Sequence, residues 1–231
     1  FYGLMNGAAG LLQSNAGIAP ADALYIVMIG GNDIRAAREI GAAGVLASTF
    51  GEKWAANRAA RETISTAVAS QIAQVQKLVN AGAQDILVIN APNVGAIPET
   101  DIVTDEIKDA ATYYYQKIEA AFIPLSTRIL SQKYNYKLSN QLNALADNSG
   151  ANIIKFDLFS FLSGQINNAQ QIGYTNVDDA CIFIFSQGGV VNPECTDFPV
   201  ASGFLFWDEI HPTTAAHQRA GQAVLEMLIA N

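Results

Sequence analysis

Three short apolar runs decide what this chain can fold into. They are Ala23-Leu24-Tyr25-Ile26-Val27-Met28-Ile29, Asp85-Ile86-Leu87-Val88-Ile89-Asn90 and Asn152-Ile153-Ile154-Lys155-Phe156-Asp157. The first, a continuous apolar run ended by Gly30-Gly31, predicts a strand buried on both faces, the second another buried strand and the third a further strand. Helical stretches separate the runs. Over residues 54–80, Ile64, Val68, Ile72, Val75 and Val79 recur at three- and four-residue spacing, with Gly82 placed as a C-terminal cap. A second helix is expected from Thr104 to about Gln132, with Pro124 kinking it, and others over 137–146, 158–166 and 214–229. The stretch before Ser14 reads as the tail of an apolar helix, and 173–203 as mostly loop. Strands alternating with helices imply βαβ units: an α/β protein with a mainly parallel sheet covered on both faces, arranged as one domain over residues 1–231.

Composition narrows the function classes. The 231 residues carry 13 Lys+Arg against 21 Asp+Glu, a net charge of −8, which argues against a phosphate-tracking nucleic-acid binder. Half the residues are apolar, too many for a disordered chain, yet no uninterrupted run reaches the ~18–20 residues of a membrane span. With two histidines and two cysteines, a His/Cys metal cage is not expected.

In open α/β sheets ligands bind beyond the carboxyl ends of strands. Three loops there carry polar residues: Gly30-Gly31-Asn32-Asp33, Asn90-Ala91-Pro92-Asn93 and Asp208-Glu209-Ile210-His211-Pro212. An Asp three residues before a His in a tight turn can place its carboxylate on the imidazole Nδ1–H, fixing the tautomer and stabilising the imidazolium. The same turn also suits a helix start, with Pro212 in the first turn, Thr213 as cap and His211 merely satisfying a carbonyl. Asn32 offers a side-chain donor of the kind that stabilises an acyl-transfer oxyanion, Gly30 and Gly31 allow close backbone approach, and Asp33 is expected to tie the loop to backbone N–H groups. Taken alone, these four residues also read as an ordinary turn.

Together, the first and third loops resemble the SGNH, or GDSL, hydrolases. Gly30-Gly31-Asn32-Asp33 after an apolar strand is similar to that family's Gly-x-Asn-Asp block, and Phe206-Trp207-Asp208-Glu209-Ile210-His211-Pro212-Thr213 to its Asp-x-x-His-Pro block with an aromatic lead-in. The likeness looks closest to the secreted bacterial branch of lipases, phospholipases with acyltransferase activity and thermolabile haemolysins. It implies a flavodoxin-like three-layer α/β/α sandwich without cofactor. His211 would be the general base and acid, Asp208 its orienting partner, Asn32 an oxyanion donor and Gly30 the small residue of the same block. His217 is expected to pack or cap rather than act as a second base.

The family's Gly-Asp-Ser block, which carries the nucleophile, has no counterpart upstream of Gly30. Ser14 and Ser186 sit in the wrong surroundings for one. The nucleophilic serine is therefore expected outside this chain, on a companion N-terminal fragment, with these residues the C-terminal part of a longer or nicked polypeptide. Partly on the resemblance, Cys181 and Cys195 are expected to form a disulfide, worth about 3 kcal/mol for a loop of ~15 residues, rather than two buried thiols. Within that loop, Ile182-Phe183-Ile184-Phe185 reads either as a wall for an acyl chain or as a short buried strand. The implied function is a secreted serine ester hydrolase acting on acyl esters or lipids, as a lipase, a lysophospholipase A or an acyltransferase. The alternatives are a carbohydrate acetyl esterase and a non-catalytic binding module that has lost its serine.

Overall fold

Strand β1 (Leu24–Met28) enters the sheet beside β2 (Asp85–Ile89), which pairs in turn with β3 (Asn152–Phe156). Both pairings are parallel and unbroken, running from Leu24 opposite Asp85 to Met28 opposite Ile89, and from Asp85 opposite Asn152 to Ile89 opposite Phe156. The structure is a computed structural model, and it describes Leu12 and residues 17–230. The expected helix before Ser14 lies outside the described residues, as does Ser14 itself.

Helices α1 (Gly31–Val45) and α2 (Phe50–Asn80) follow β1. A capping box starts α2: the Thr49 hydroxyl accepts from the Glu52 N–H while the Glu52 carboxylate accepts from the Thr49 N–H, satisfying two donors that a helix start leaves open. A 3-10 turn at Val94–Ala96 leads into α3 (Pro98–Ala110), α4 (Tyr114–Ala120) and α5 (Ile123–Ser149). Beyond β3 come α6 (Leu158–Asn167) and α7 (Ala169–Ile172), then β4 (Asn176–Ala180), a hairpin of β5 (Ile182–Phe183) with β6 (Val190–Val191), β7 (Phe204–Phe206) and α8 (Thr214–Ala230). Strands β4 and β7 form a second parallel pair.

The layers follow from side-chain alternation along the strands. Tyr25, Val27, Ile86 and Val88 point into a core with Ile64, Val68, Val75 and Leu78 of α2 and Tyr134, Leu138, Leu142 and Leu145 of α5. Leu87, Ile89, Ile154 and Phe156 join Leu158 and Leu162 of α6 and Val224, Met227 and Leu228 of α8 on the opposite side. The result is an α/β/α arrangement with a parallel sheet.

Three expectations are corrected. First, β1 is not buried on both faces: Leu24, Ile26 and Met28 are 43%, 61% and 56% exposed, while Ile86, Leu87 and Val88 of β2 are at most 1%. The reason is coverage, since α6 and α8 pack over β2 and β3 and stop short of β1. Among the described residues β1 pairs only with β2, so its other edge is open. Second, Gly31-Asn32-Asp33 is not loop but the first turn of α1. Third, the long helix expected from Thr104 is three helices. Its apolar spacing runs on through breaks near Ala111 and Phe122, and Pro124 lies in the first turn of α5 rather than kinking a helix.

Candidate active site

The turn before α8 is held by its own carboxylate. Asp208 is 3% exposed, and its Oδ1 accepts from the N–H groups of Ile210 (2.8 Å) and His211 (2.6 Å). His211 Nδ1 lies 2.8 Å from Asp208 Oδ2 and 3.0 Å from Oδ1. A carboxylate can only accept, so Nδ1 carries the proton and Nε2 is left as the basic nitrogen. The imidazole side chain is 61% exposed, so that nitrogen can meet a ligand. The Trp207 N–H donates to the His211 carbonyl and the Thr213 N–H to that of Leu205, closing the turn onto β7. Thr213 also caps α8 through the Ala216 N–H. Capping and the Asp208–His211 pair thus coexist in one turn.

The other loop ends β1. Gly30 has φ 116°, a left-handed conformation, and a Cβ there would stand 2.5 Å from the Tyr134 ring, so two independent constraints select glycine. Asn32, exposed in the first turn of α1, accepts at Oδ1 from Arg35 Nη1 at 3.1 Å. Asp33 Oδ1 is buried without a hydrogen-bond partner among the described residues, and burial pushes its carboxyl above its ordinary value against the opposing pull of its own backbone N–H.

A network invisible to local sequence reading stands behind Asn32. Arg35 grips Glu99 with Nε (2.6 Å) and Nη2, and the fully buried Arg38 reaches the same carboxylate at 2.7 Å and Thr100 Oγ1 at 2.8 Å. Burial alone would raise the Glu99 carboxyl; the hydrogen bonds and charges of the two guanidinium groups outweigh it and hold it below the usual range. The Glu99 N–H donates to the Glu209 carbonyl at 2.9 Å, so this residue also touches the histidine turn. No sequence signal pairs residues 35 and 99. The Thr49/Glu52 capping box, by contrast, has a sequence signal in the Thr-x-x-Glu spacing.

Asn32, Arg35, Gly30 and His211 line one cavity of about 750 Å³, whose other walls are mostly apolar: Ile26, Met28, Leu87, Ile89, Leu162 and Val224 among them. His217 reaches the same cavity, and its Nδ1 lies 3.0 Å from the Thr213 carbonyl, which also accepts from the His217 backbone N–H. The second loop reaches the same cavity through Asn90 and Pro92 and also has a structural part. Asn90 donates to Asp157 and accepts from the Phe159 N–H, locking the end of β2 to the start of α6. Cys181 and Cys195 form a disulfide. Of the loop they close, none of Ile182, Phe183, Ile184 or Phe185 lines the cavity; Ile182 and Phe183 form β5. Instead the buried Glu209 carboxylate accepts from the N–H groups of Ile184, Phe185 and Ser186 and from the Ser186 hydroxyl, tying this loop to the histidine turn. Among the described residues there is no cluster of three or more His, Cys, Asp or Glu able to hold a metal, and no helix long and apolar enough to cross a membrane.

The sequence model of the GDSL-like lipase/acylhydrolase family matches residues 5–224. The thermolabile hemolysin of Vibrio parahaemolyticus is 28% identical over 160 residues, covering 65% of this chain and 33% of the hemolysin. Lipase 1 of Photorhabdus luminescens is 26% identical over 264 aligned positions, covering 95% of this chain and 38% of the lipase. A GDSL esterase/lipase of Arabidopsis thaliana is 29% identical over 103 residues, covering 42% of this chain and 25% of its own. The chain spans between a quarter and two fifths of the length of these curated relatives.

Proposed function

The chain belongs to the GDSL-like lipase/acylhydrolase family, a family of ester hydrolases. From that premise we propose that it supplies the base and an oxyanion donor of a Ser-His-Asp hydrolase of acyl esters, with the serine on a companion segment outside these 231 residues. The observation that carries this reading is the shared cavity: a histidine whose Nδ1 is taken by a buried aspartate stands at the same opening as an asparagine whose amide N–H is uncommitted among the described residues.

In the proposed mechanism, His211 Nε2 takes the proton of the serine hydroxyl as the oxygen attacks the ester carbonyl. Asp208 stabilises the resulting imidazolium. Asn32 Nδ2 donates to the tetrahedral oxyanion, a contact worth roughly 2.7–4 kcal/mol in comparable sites. His211 then returns the proton to the leaving alcohol, and water repeats the sequence on the acyl-enzyme. An alcohol in place of water would make the reaction an acyl transfer.

The open edge of β1 is where the serine-bearing segment would dock as a further parallel strand. Its N–H and C=O groups face away from β2, and Leu24, Ile26 and Met28 present an apolar face that another covering element would bury. The remaining apolar wall near Ile97 and Ile210 suits an acyl chain, and lipid esters such as lysophospholipids fit the same chemistry. The disulfide fits an oxidising compartment and hence secretion. The test is turnover of p-nitrophenyl esters from acetyl to long-chain acyl, alongside lysophosphatidylcholine, by the complete natural polypeptide. Rates rising with chain length support a lipid esterase. A preference for acetylated sugars would move the assignment to a carbohydrate acetyl esterase, and silence on every ester would leave a binding module.

A further inference from the structure

An asparagine can stabilise an oxyanion only if its NH₂, not its carbonyl, faces the substrate. The two ends of the amide differ little in shape, so something must choose between them. Asn32 is exposed in the first turn of α1, where packing offers little to choose its orientation.

Arg35 makes the choice by chemistry. It sits one helical turn on, on the same face, and its Nη1 is 3.1 Å from Asn32 Oδ1. A guanidinium has donors and no acceptor, so it holds only the carbonyl end and leaves Nδ2 turned to the remaining side. The guanidinium is itself fixed. Nε and Nη2 both bind the Glu99 carboxylate, a two-point grip that sets the plane of the group as well as its position. Charge balance alone does not explain this second arginine, because the fully buried Arg38 already pairs with Glu99 at 2.7 Å. Arg38 is also anchored to Thr100, whose hydroxyl donates to the Val94 carbonyl, so the carboxylate rests on a rigid base.

Glu99 has a second attachment. Its backbone N–H, at the start of α3, donates to the carbonyl of Glu209, inside the turn that carries His211. One residue thus touches both halves of the site: by its side chain the arm that holds Asn32, and by its backbone the turn that holds the base.

We infer that Arg35 and Glu99 form a clasp that orients the Asn32 amide, with its NH₂ toward the oxyanion position, and fixes its distance from the His211 turn. Both are positioning residues; neither touches the reacting atoms. The inference rests on the hydrolase reading above, and its test has one arm that does not depend on turnover.

The first arm measures kcat and KM on a p-nitrophenyl ester for the complete natural polypeptide as wild type, Arg35→Met, Asn32→Ala and the double variant. Arg35→Met should lose on the order of 10–50-fold in kcat, less than the ~10²–10³ of losing the donor itself, with KM within about twofold. In the Asn32→Ala background the same change should cost less than about twofold, because the amide it serves is gone. Arg35→Lys, which reaches either partner but not both, should fall between wild type and Met and guards against a folding defect in Met. The second arm follows the Asn32 side-chain NH₂ by ¹⁵N NMR of asparagine-labelled protein: ordered in wild type, with averaged, fast-exchanging signals in Arg35→Met and Glu99→Gln. Full additivity in the double variant, wild-type kcat in Arg35→Met, or an equally ordered amide in both variants would each overturn the clasp. A wild type silent on esters would defeat the hydrolase reading instead, and the amide signal would then decide the clasp by itself.

Discussion

The two halves of the site are built in opposite ways. The Asp208–His211 turn is closed within itself: one carboxylate takes the two turn amides and the imidazole, all from residues at most three positions away. Asn32 is placed by a chain of contacts that leaves its own helix, through Arg35 to Glu99, 64 positions further on. A locally closed turn forms wherever the chain can bend and keeps its geometry when distant parts shift. A donor held at long range is correct only once two helices, α1 and α3, have docked. The proposed base, His211, should therefore tolerate distant substitution, and the proposed oxyanion donor, Asn32, should not.

Removing the base tests the first half and carries the largest expected effect. His211→Ala should cost several orders of magnitude in kcat with the fold intact, and Asp208→Asn about 10⁴, since it stabilises the wrong tautomer. Ester hydrolysis with circular dichroism as the fold control checks both, and a loss below tenfold in His211→Ala would take the histidine out of the mechanism. Next, Asn32→Ala should cost ~10²–10³ in kcat with little change in KM.

A smaller effect separates the halves by pH. The folded-state pKa of Glu99 lies below its unfolded value, so the stability it contributes is fully present above about 4.3, the ordinary glutamate value, and lost as pH falls through the lower folded value. Urea unfolding of wild type against Glu99→Gln should show a constant gap from pH 7 to 5 that closes under more acid conditions. A gap that widens with acid would reverse the assignment. The smallest effect on rate is expected at Glu209, which anchors the disulfide loop and does not line the cavity. Glu209→Gln should lower stability by about 1–3 kcal/mol, because a charged acceptor of four buried hydrogen bonds is replaced, while kcat stays within a few-fold.

The same contrast explains what the sequence made legible. The strands are visible because Ile86-Leu87-Val88-Ile89 has no other use, and the Asp-x-x-His turn because its partners are neighbours in sequence. Which face of β1 is covered is not visible: Leu24, Ile26 and Met28 are as apolar as the residues of β2, and their exposure depends on where α6 and α8 end. Helix α1 was hidden because Gly30-Gly31-Asn32-Asp33 has turn composition, although only Gly30 adopts the left-handed conformation. Arg38, fully buried, reads in sequence as one more surface charge; its burial is affordable only with Glu99 and Thr100 beside it.

We propose that His211 and Asn32 work as base and oxyanion donor with a serine held elsewhere. The most direct measurement is labelling of the complete natural protein with a serine-directed fluorophosphonate, followed by mapping of the modified peptide. The account predicts one labelled serine, outside residues 1–231, with labelling abolished in His211→Ala. A label on a serine within this chain, such as Ser70 on the cavity wall or Ser186 beside Glu209, or no label at all, would contradict it.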